Sequence, residues 1–217
     1  MTNYIKKARE PISSFTHLIG AIISGLGLVL LLVKTIALSE LSLVNIVSSA
    51  LFGLSLIALY TASTVYHFSN ASGKTVLMLR KLDHSMIFVL IAGTYTPIML
   101  NFLPSPRNIA FTVFIWVFAA VGITLKLCWF GAPRWLQTVM YLTMGWAILL
   151  DVSVFQRMSA GALTLLILGG ASYTIGGIIY MIKKPNISRR FGFHELFHIF
   201  VLIGSLFHFL LVFRYIA

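Results

Sequence analysis

His194 and His198 lie four residues apart, and Glu195 follows the first of them. On a helix this spacing puts both imidazoles on one face, one turn above the other. Two imidazoles so placed can share a zinc ion, and a third would leave the fourth tetrahedral position to water. His67 is the candidate for the third ligand. Asp83 is the candidate carboxylate to hold that water or take its proton. Ser63 stands four residues before His67, on the same helical face, as an outer donor or a contact to a polarised group. The run His194-Glu195-Leu196-Phe197-His198 also fits His-Glu-x-x-His, in which the glutamate of zinc proteases is the general base. Glu195 thus has two readings. It activates the water, or it turns about 100° away toward a basic rim, where a carboxylate near a helix N-terminus is favoured. The second is preferred, because Asp83 already offers a carboxylate.

These residues are spread over more than 130 positions, so long elements must bring them together. Of the 217 residues, 59% are hydrophobic and only 10% are charged. Soluble domains carry about 25% charged residues, so the mean hydropathy of +0.97 describes a membrane protein. A helix needs about 20 apolar residues to cross the hydrocarbon core. Seven runs meet that length, at about 17–38, 44–67, 82–103, 108–128, 135–154, 159–182 and 194–216. The expected fold is an all-α bundle of seven transmembrane helices forming one domain over 1–217. The basic opening leads into a long apolar run without a cleavage pattern, so the first helix is read as retained. The net charge of +11 does not indicate nucleic acid, because the 16 basic residues fall in short connections between apolar runs. A single Cys128 excludes an internal disulfide.

Lys and Arg favour the cytoplasmic side. With the N-terminus inside, that side holds Lys6, Lys7, Arg9, Lys74, Arg80, Lys81, Lys126, Arg134, Lys183, Lys184, Arg189 and Arg190. Lys34, Arg107, Arg157 and Arg214 fall outside. The bias predicts a cytoplasmic N-terminus and an external C-terminus. It also brings His67, Asp83, His194 and His198 to one depth, at the inner face. His208 lies ten residues past His198, about 15 Å deeper, and is read as a hydrogen-bonded core histidine or the polar lining of a cavity. Glu10 and His17, at the cytoplasmic entry to the first helix, either cover the site from below or are interfacial, the second being preferred; His84 is read as pointing away from the site, and Asp151 as a cap or interfacial residue. Lys126 and Arg214 are read as snorkelling, Pro97 as a kink in the third helix, and Gly25/Gly27, Gly169/Gly170 and Gly176/Gly177 as close-packing positions.

Ser63-Thr64-Val65-Tyr66-His67, Lys81-Leu82-Asp83-His84-Ser85, Gly93-Thr94-Tyr95-Thr96-Pro97 and His194-x-x-x-His198 together resemble the progestin and adipoQ receptor family. Within it, the chain most resembles the bacterial hemolysin III branch. The stretch from Glu10-Pro11 to Thr16-His17 resembles that family's N-terminal motif. The resemblance implies a seven-helix fold with a cytoplasmic N-terminus. It also implies a zinc ion on His67, His194 and His198, Asp83 at the zinc-bound water, and Ser63 in the family's serine position. Adiponectin receptors of this family are associated with ceramide hydrolysis, and the wider superfamily includes alkaline ceramidases. No long N-terminal cytosolic domain is expected ahead of the first helix, a departure from the family pattern that weighs against hormone signalling, and Glu195 is not required by the family mechanism.

Three functions are compatible with these residues. The first is a zinc-dependent hydrolase of lipid amides or esters in the bacterial inner membrane, with membrane lipids as partners and a ceramide-like or acyl lipid as substrate. The second is a non-enzymatic, zinc-stabilised receptor or membrane-homeostasis protein. A pore-forming hemolysin ranks last.

Overall fold

The computed structural model describes residues 7–38, 42–129, 131–188 and 191–217. Lys6, Arg189 and Arg190, counted in the charge bias above, lie outside the described residues. Among the described residues, seven helical segments are long and apolar enough to cross a membrane. Helix α1 spans Pro11–Leu38. Its proline opens the helix, where a missing N–H breaks no bond. Helix α2 spans Leu43–Phe68, behind Ser42, whose hydroxyl accepts from the Asn45 amide. Helix α3 spans Gly73–Phe102 and begins well before Leu82. Hydropathy marks only the part in lipid, and no breaker separates that part from the exposed turn at Gly73–Thr75. Helix α4 spans Arg107–Cys128.

The fifth span is not one uniform α-helix. Helix α5 covers Arg134–Gly145, and a tighter 3₁₀ segment follows over Ala147–Arg157 with a non-helical residue at Asp151. A break inside a membrane exposes backbone groups that must find partners within the protein. Tyr95 supplies them from α3: its phenol donates to the Gly145 carbonyl at 2.8 Å and accepts from the Ile148 amide at 2.8 Å. Asp151 is held by Ser153 and by Arg107, at 2.9 Å from the guanidinium. It is a local cap and ion pair, as its position in the sequence indicated.

Helix α6 spans Ala160–Ile182 and α7 spans Phe193–Tyr215. α1 packs on α2, α2 on α3, α3 on α4 and α6 on α7, while α1 also closes against α7. Helix α3 is the innermost, with 67% of its apolar window buried against 17% for α4. Ile22, Ile23, Leu26 and Val33 of α1 are exposed and form a face for lipid tails. Gly27, Gly169, Gly176 and Gly177 sit against Phe209, His208, Phe200 and Leu142. Gly25 and Gly170 have no such neighbour, so close packing does not explain them. Lys126 does not snorkel: it is buried, with its ammonium 2.5 Å from Gln137 Oε1. A hydrogen-bond acceptor on the neighbouring helix keeps it inside.

Candidate metal centre and cavity

His67 ends α2, and His194 and His198 open α7, so both helices deliver imidazoles to the same end of the bundle. The three rings lie with centroids 4.6–4.9 Å apart. Each offers one nitrogen, all within 4.8 Å of one another. His194 Nε2 and His67 Nε2 are 3.3 Å apart. Ligand nitrogens about 2.0–2.1 Å from a tetrahedral metal are separated by roughly 3.3–3.4 Å. The separation therefore matches two corners of a metal tetrahedron.

The tautomers fit as well. His67 Nδ1 is 2.6 Å from Glu10 Oε2. His198 Nδ1 faces the Ser13 carbonyl at 3.3 Å. A carbonyl or carboxylate can only accept, so each Nδ1 carries the proton and each Nε2 is left with its lone pair. Metal-ligating histidines are held in this way by outer acceptors. Both acceptors come from the start of α1, and the local backbone explains why. The Glu10 amide donates to the His67 carbonyl at 3.0 Å, and the Ser14 hydroxyl donates to the Thr64 carbonyl at 3.1 Å. The first of these occupies a carbonyl that the end of α2 leaves free. Arg9 adds a bond to the Tyr66 carbonyl and lies over the Tyr66 ring. Half-burial pushes the Glu10 carboxyl up, but His67 and the Arg9 charge outweigh it and hold it below the usual value.

Glu10 and His17 are therefore not interfacial. His17 is buried and stacks on His198, with centroids 3.6 Å apart and planes 9° from parallel. A span-by-span reading prefers an interfacial role over covering the site, because nothing in the sequence shows that α1 docks across both α2 and α7. Glu195 is turned away from the histidine nitrogens. Its carboxylate accepts from the Gly192 amide at 2.8 Å and from the Ser13 hydroxyl at 2.9 Å, capping α7 and tying it to α1.

Asp83 is buried on α3 beside the cluster without joining its nitrogens, and the Ser63 hydroxyl lies against its carboxylate. His84 is also buried, with Nε2 3.9 Å from an Asp83 oxygen. Ser63, Asp83, His84, His194 and His198 all line one cavity of about 200 Å³. So His84 does not point away: it lines the same cavity as Asp83. Away from the histidines the cavity is lined by Tyr173, His208, Tyr95, Ile98 and Leu166. Its wall includes Trp146, Leu149 and Ile167, which are 45%, 53% and 57% exposed. The cavity thus reaches the lipid-facing surface between the fifth span and α6.

A polytopic helical protein with a buried three-histidine cluster at the head of an apolar cavity is the class these features define. The family model described as "Haemolysin-III related" matches residues 5–209, and the chain belongs to that family. It is 38% identical over 197 residues to a protein named Hemolysin-3 homolog from Bacillus subtilis, covering 90% of this chain and 89% of the relative. It is 33% identical to Hemolysin-3 from Bacillus cereus over 219 residues, covering 100% and 94%. A more distant relative is the human Monocyte to macrophage differentiation factor, 25% identical over 174 residues, 78% of this chain and 71% of that protein. The chain is a multi-pass bacterial membrane protein.

Proposed function

We propose that the chain is a zinc-dependent membrane hydrolase acting on a lipid amide or ester. The observation that carries the reading is the coincidence of three features. Three histidine nitrogens lie within 4.8 Å of one another, a buried carboxylate stands beside them, and an apolar cavity leads from both to the lipid-facing surface. Zinc bound by His67, His194 and His198 would polarise a carbonyl and make a bound water acidic near neutrality. Asp83 would orient that water and accept its proton. Ser63 would hold the Asp83 carboxylate in place. Leu, Ile and Phe side chains would take the hydrocarbon chain and exclude bulk water from the reacting end. Substrate would enter sideways, past Trp146. With the N-terminus inside, as the basic residues imply, the reacting end faces the cytoplasmic leaflet.

The test is zinc quantification on purified protein, combined with a lipid-hydrolysis screen of wild type and Asp83→Asn. The reading expects zinc in both and turnover of a ceramide-like or acyl lipid in wild type alone. It fails if wild type holds no zinc, or if zinc persists in a His67→Ala, His194→Ala double variant. A second reading is that the metal is a clamp and the protein a receptor or homeostasis factor. One observation favours it: α2 and α7 are tied through α1 and the Tyr60–Ser205 hydrogen bond, and an ion between His67 and the α7 pair would add a direct link at their cytoplasmic ends. A clamp predicts that Asp83→Asn folds normally and that no lipid is turned over by either form. The relatives' names bring pore formation to mind, but a wall of Leu, Ile, Phe and Tyr suits hydrocarbon better than ions.

A further inference from the structure

Away from the histidine cluster the cavity carries a polar residue that the metal chemistry does not use. His208 is buried in α7, about 15 Å along the helix from His198, on the wall of the same cavity. Its Nδ1 is 3.0 Å from the Gly204 carbonyl. A carbonyl only accepts, so Nδ1 carries the proton. Asp83, the acidic residue of the cavity wall, stands at the opposite end, so nothing near His208 favours a charged ring. In the neutral ring Nε2 is therefore an acceptor with a free lone pair. Neighbouring hydroxyls do not use it: Tyr60 donates to the Ser205 hydroxyl at 2.7 Å, and Tyr173 bonds the same Ser205 oxygen at 2.8 Å.

The imidazole is also closely seated. It stacks on Tyr173 at 5.3 Å and 15°. A side chain at Gly169 would meet it at 2.4–2.8 Å, and one at Gly204 would meet the Tyr173 ring at 2.7 Å. Two helices thus give up side chains to hold this ring pair against the cavity. Hydrocarbon packing alone does not call for an imidazole there, since an unmatched acceptor in an apolar wall costs free energy.

We propose that His208 is a ligand-binding residue, accepting a hydrogen bond from a hydroxyl carried partway along the chain of the lipid that fills the cavity. The substrate class is then a hydroxylated acyl lipid, read at two points: its carbonyl at the histidine cluster and its chain hydroxyl at His208. The inference rests on the cavity being a lipid site, not on hydrolysis.

The experiment measures equilibrium binding to the full chain in nanodiscs, with two probes. One is stearic acid hydroxylated on the twelfth carbon, and the other is unsubstituted stearic acid. One net hydrogen bond corresponds to about a fivefold preference for the hydroxylated chain. His208→Phe keeps the aromatic stack and removes the acceptor. It should bind the plain chain as wild type does and lose the preference. His208→Gln keeps an acceptor and should retain part of it. Equal binding of both chains to wild type, or the same preference in His208→Phe, overturns the proposal. If His208→Phe does not fold, equal binding of the two chains to His208→Gln overturns it. If neither chain binds wild type, the lipid-cavity reading fails as well, whereas equal binding of both sinks only the role of His208.

Discussion

Glu10 provides the most direct test of the metal centre, because it lies outside every span and touches no substrate path. Its carboxylate is 2.6 Å from His67 Nδ1 and orients the ring whose Nε2 faces His194. Outer acceptors of this kind are worth about 10–100-fold in metal affinity. The Glu10 side chain is 42% exposed, so solvent screens part of its effect. The expected loss on Glu10→Ala is therefore near the lower bound, roughly tenfold in zinc dissociation constant. Glu10→Gln keeps an oxygen that can accept from Nδ1 but removes the charge, and should fall between the two. Ser13→Ala is the control: it removes the hydroxyl bonded to Glu195 but leaves the Ser13 carbonyl facing His198 Nδ1. It should change affinity by less than about threefold. The assay is chelator competition for zinc on detergent-purified protein, with thermal unfolding recorded to confirm the fold. The argument is refuted if Glu10→Ala binds zinc as tightly as wild type, or if Ser13→Ala weakens it as much as Glu10→Ala.

Other outcomes follow from the same geometry. Tyr95→Phe strands the Gly145 carbonyl and the Ile148 amide at the break in the fifth span. At about 1–3 kcal/mol for each unmet group, it should lower the unfolding temperature clearly, and an unchanged melt would mean other partners take over. Glu195→Ala should cost about 1–2 kcal/mol, as a lost helix cap does, and leave zinc content unchanged, whereas loss of zinc would make Glu195 part of the metal centre. A reporter fused to the N-terminus should be active only in its cytoplasmic form and one fused to the C-terminus only in its external form; the reverse pattern would place the metal centre in the other leaflet.

The seven spans are legible because a bilayer imposes a strict length and composition on each crossing, and Pro104, Pro106, Pro133 and Pro185 punctuate the connections. The end of the bundle that holds His67, Asp83, His194 and His198 is legible from alternation alone, since each crossing reverses direction. What the pattern does not carry is rotation and docking. Gly145 sits within an apolar run, and hydropathy does not distinguish α-helix from the 3₁₀ segment that begins at Ala147. Lys126 reads as a surface charge because its partner, Gln137, belongs to the next helix. Glu10, Ser13 and His17 precede or open a span, where polar residues are ordinary. Their role depends on α1 lying across α2 and α7, a contact that no spacing within α1 encodes.

That contact changes what the first helix is for. An apolar helix with an exposed lipid face would serve as a simple anchor, yet its first two turns carry Ser13, Ser14 and His17, all buried. Each is spent on another helix: the Ser14 hydroxyl on the Thr64 carbonyl of α2, the Ser13 hydroxyl on Glu195 of α7, the His17 ring on His198 of α7. Besides the Tyr60–Ser205 hydrogen bond, it is α1 that ties the His67 end of α2 to the histidine pair of α7. The Glu10 carboxylate and the Ser13 carbonyl reach the His67 and His198 rings only while α1 stays docked. Metal affinity should therefore report the docking of a helix that contributes no ligand. For the same reason, the motif around Glu10-Pro11 and His17 belongs with the ligand motifs and not with the membrane anchor.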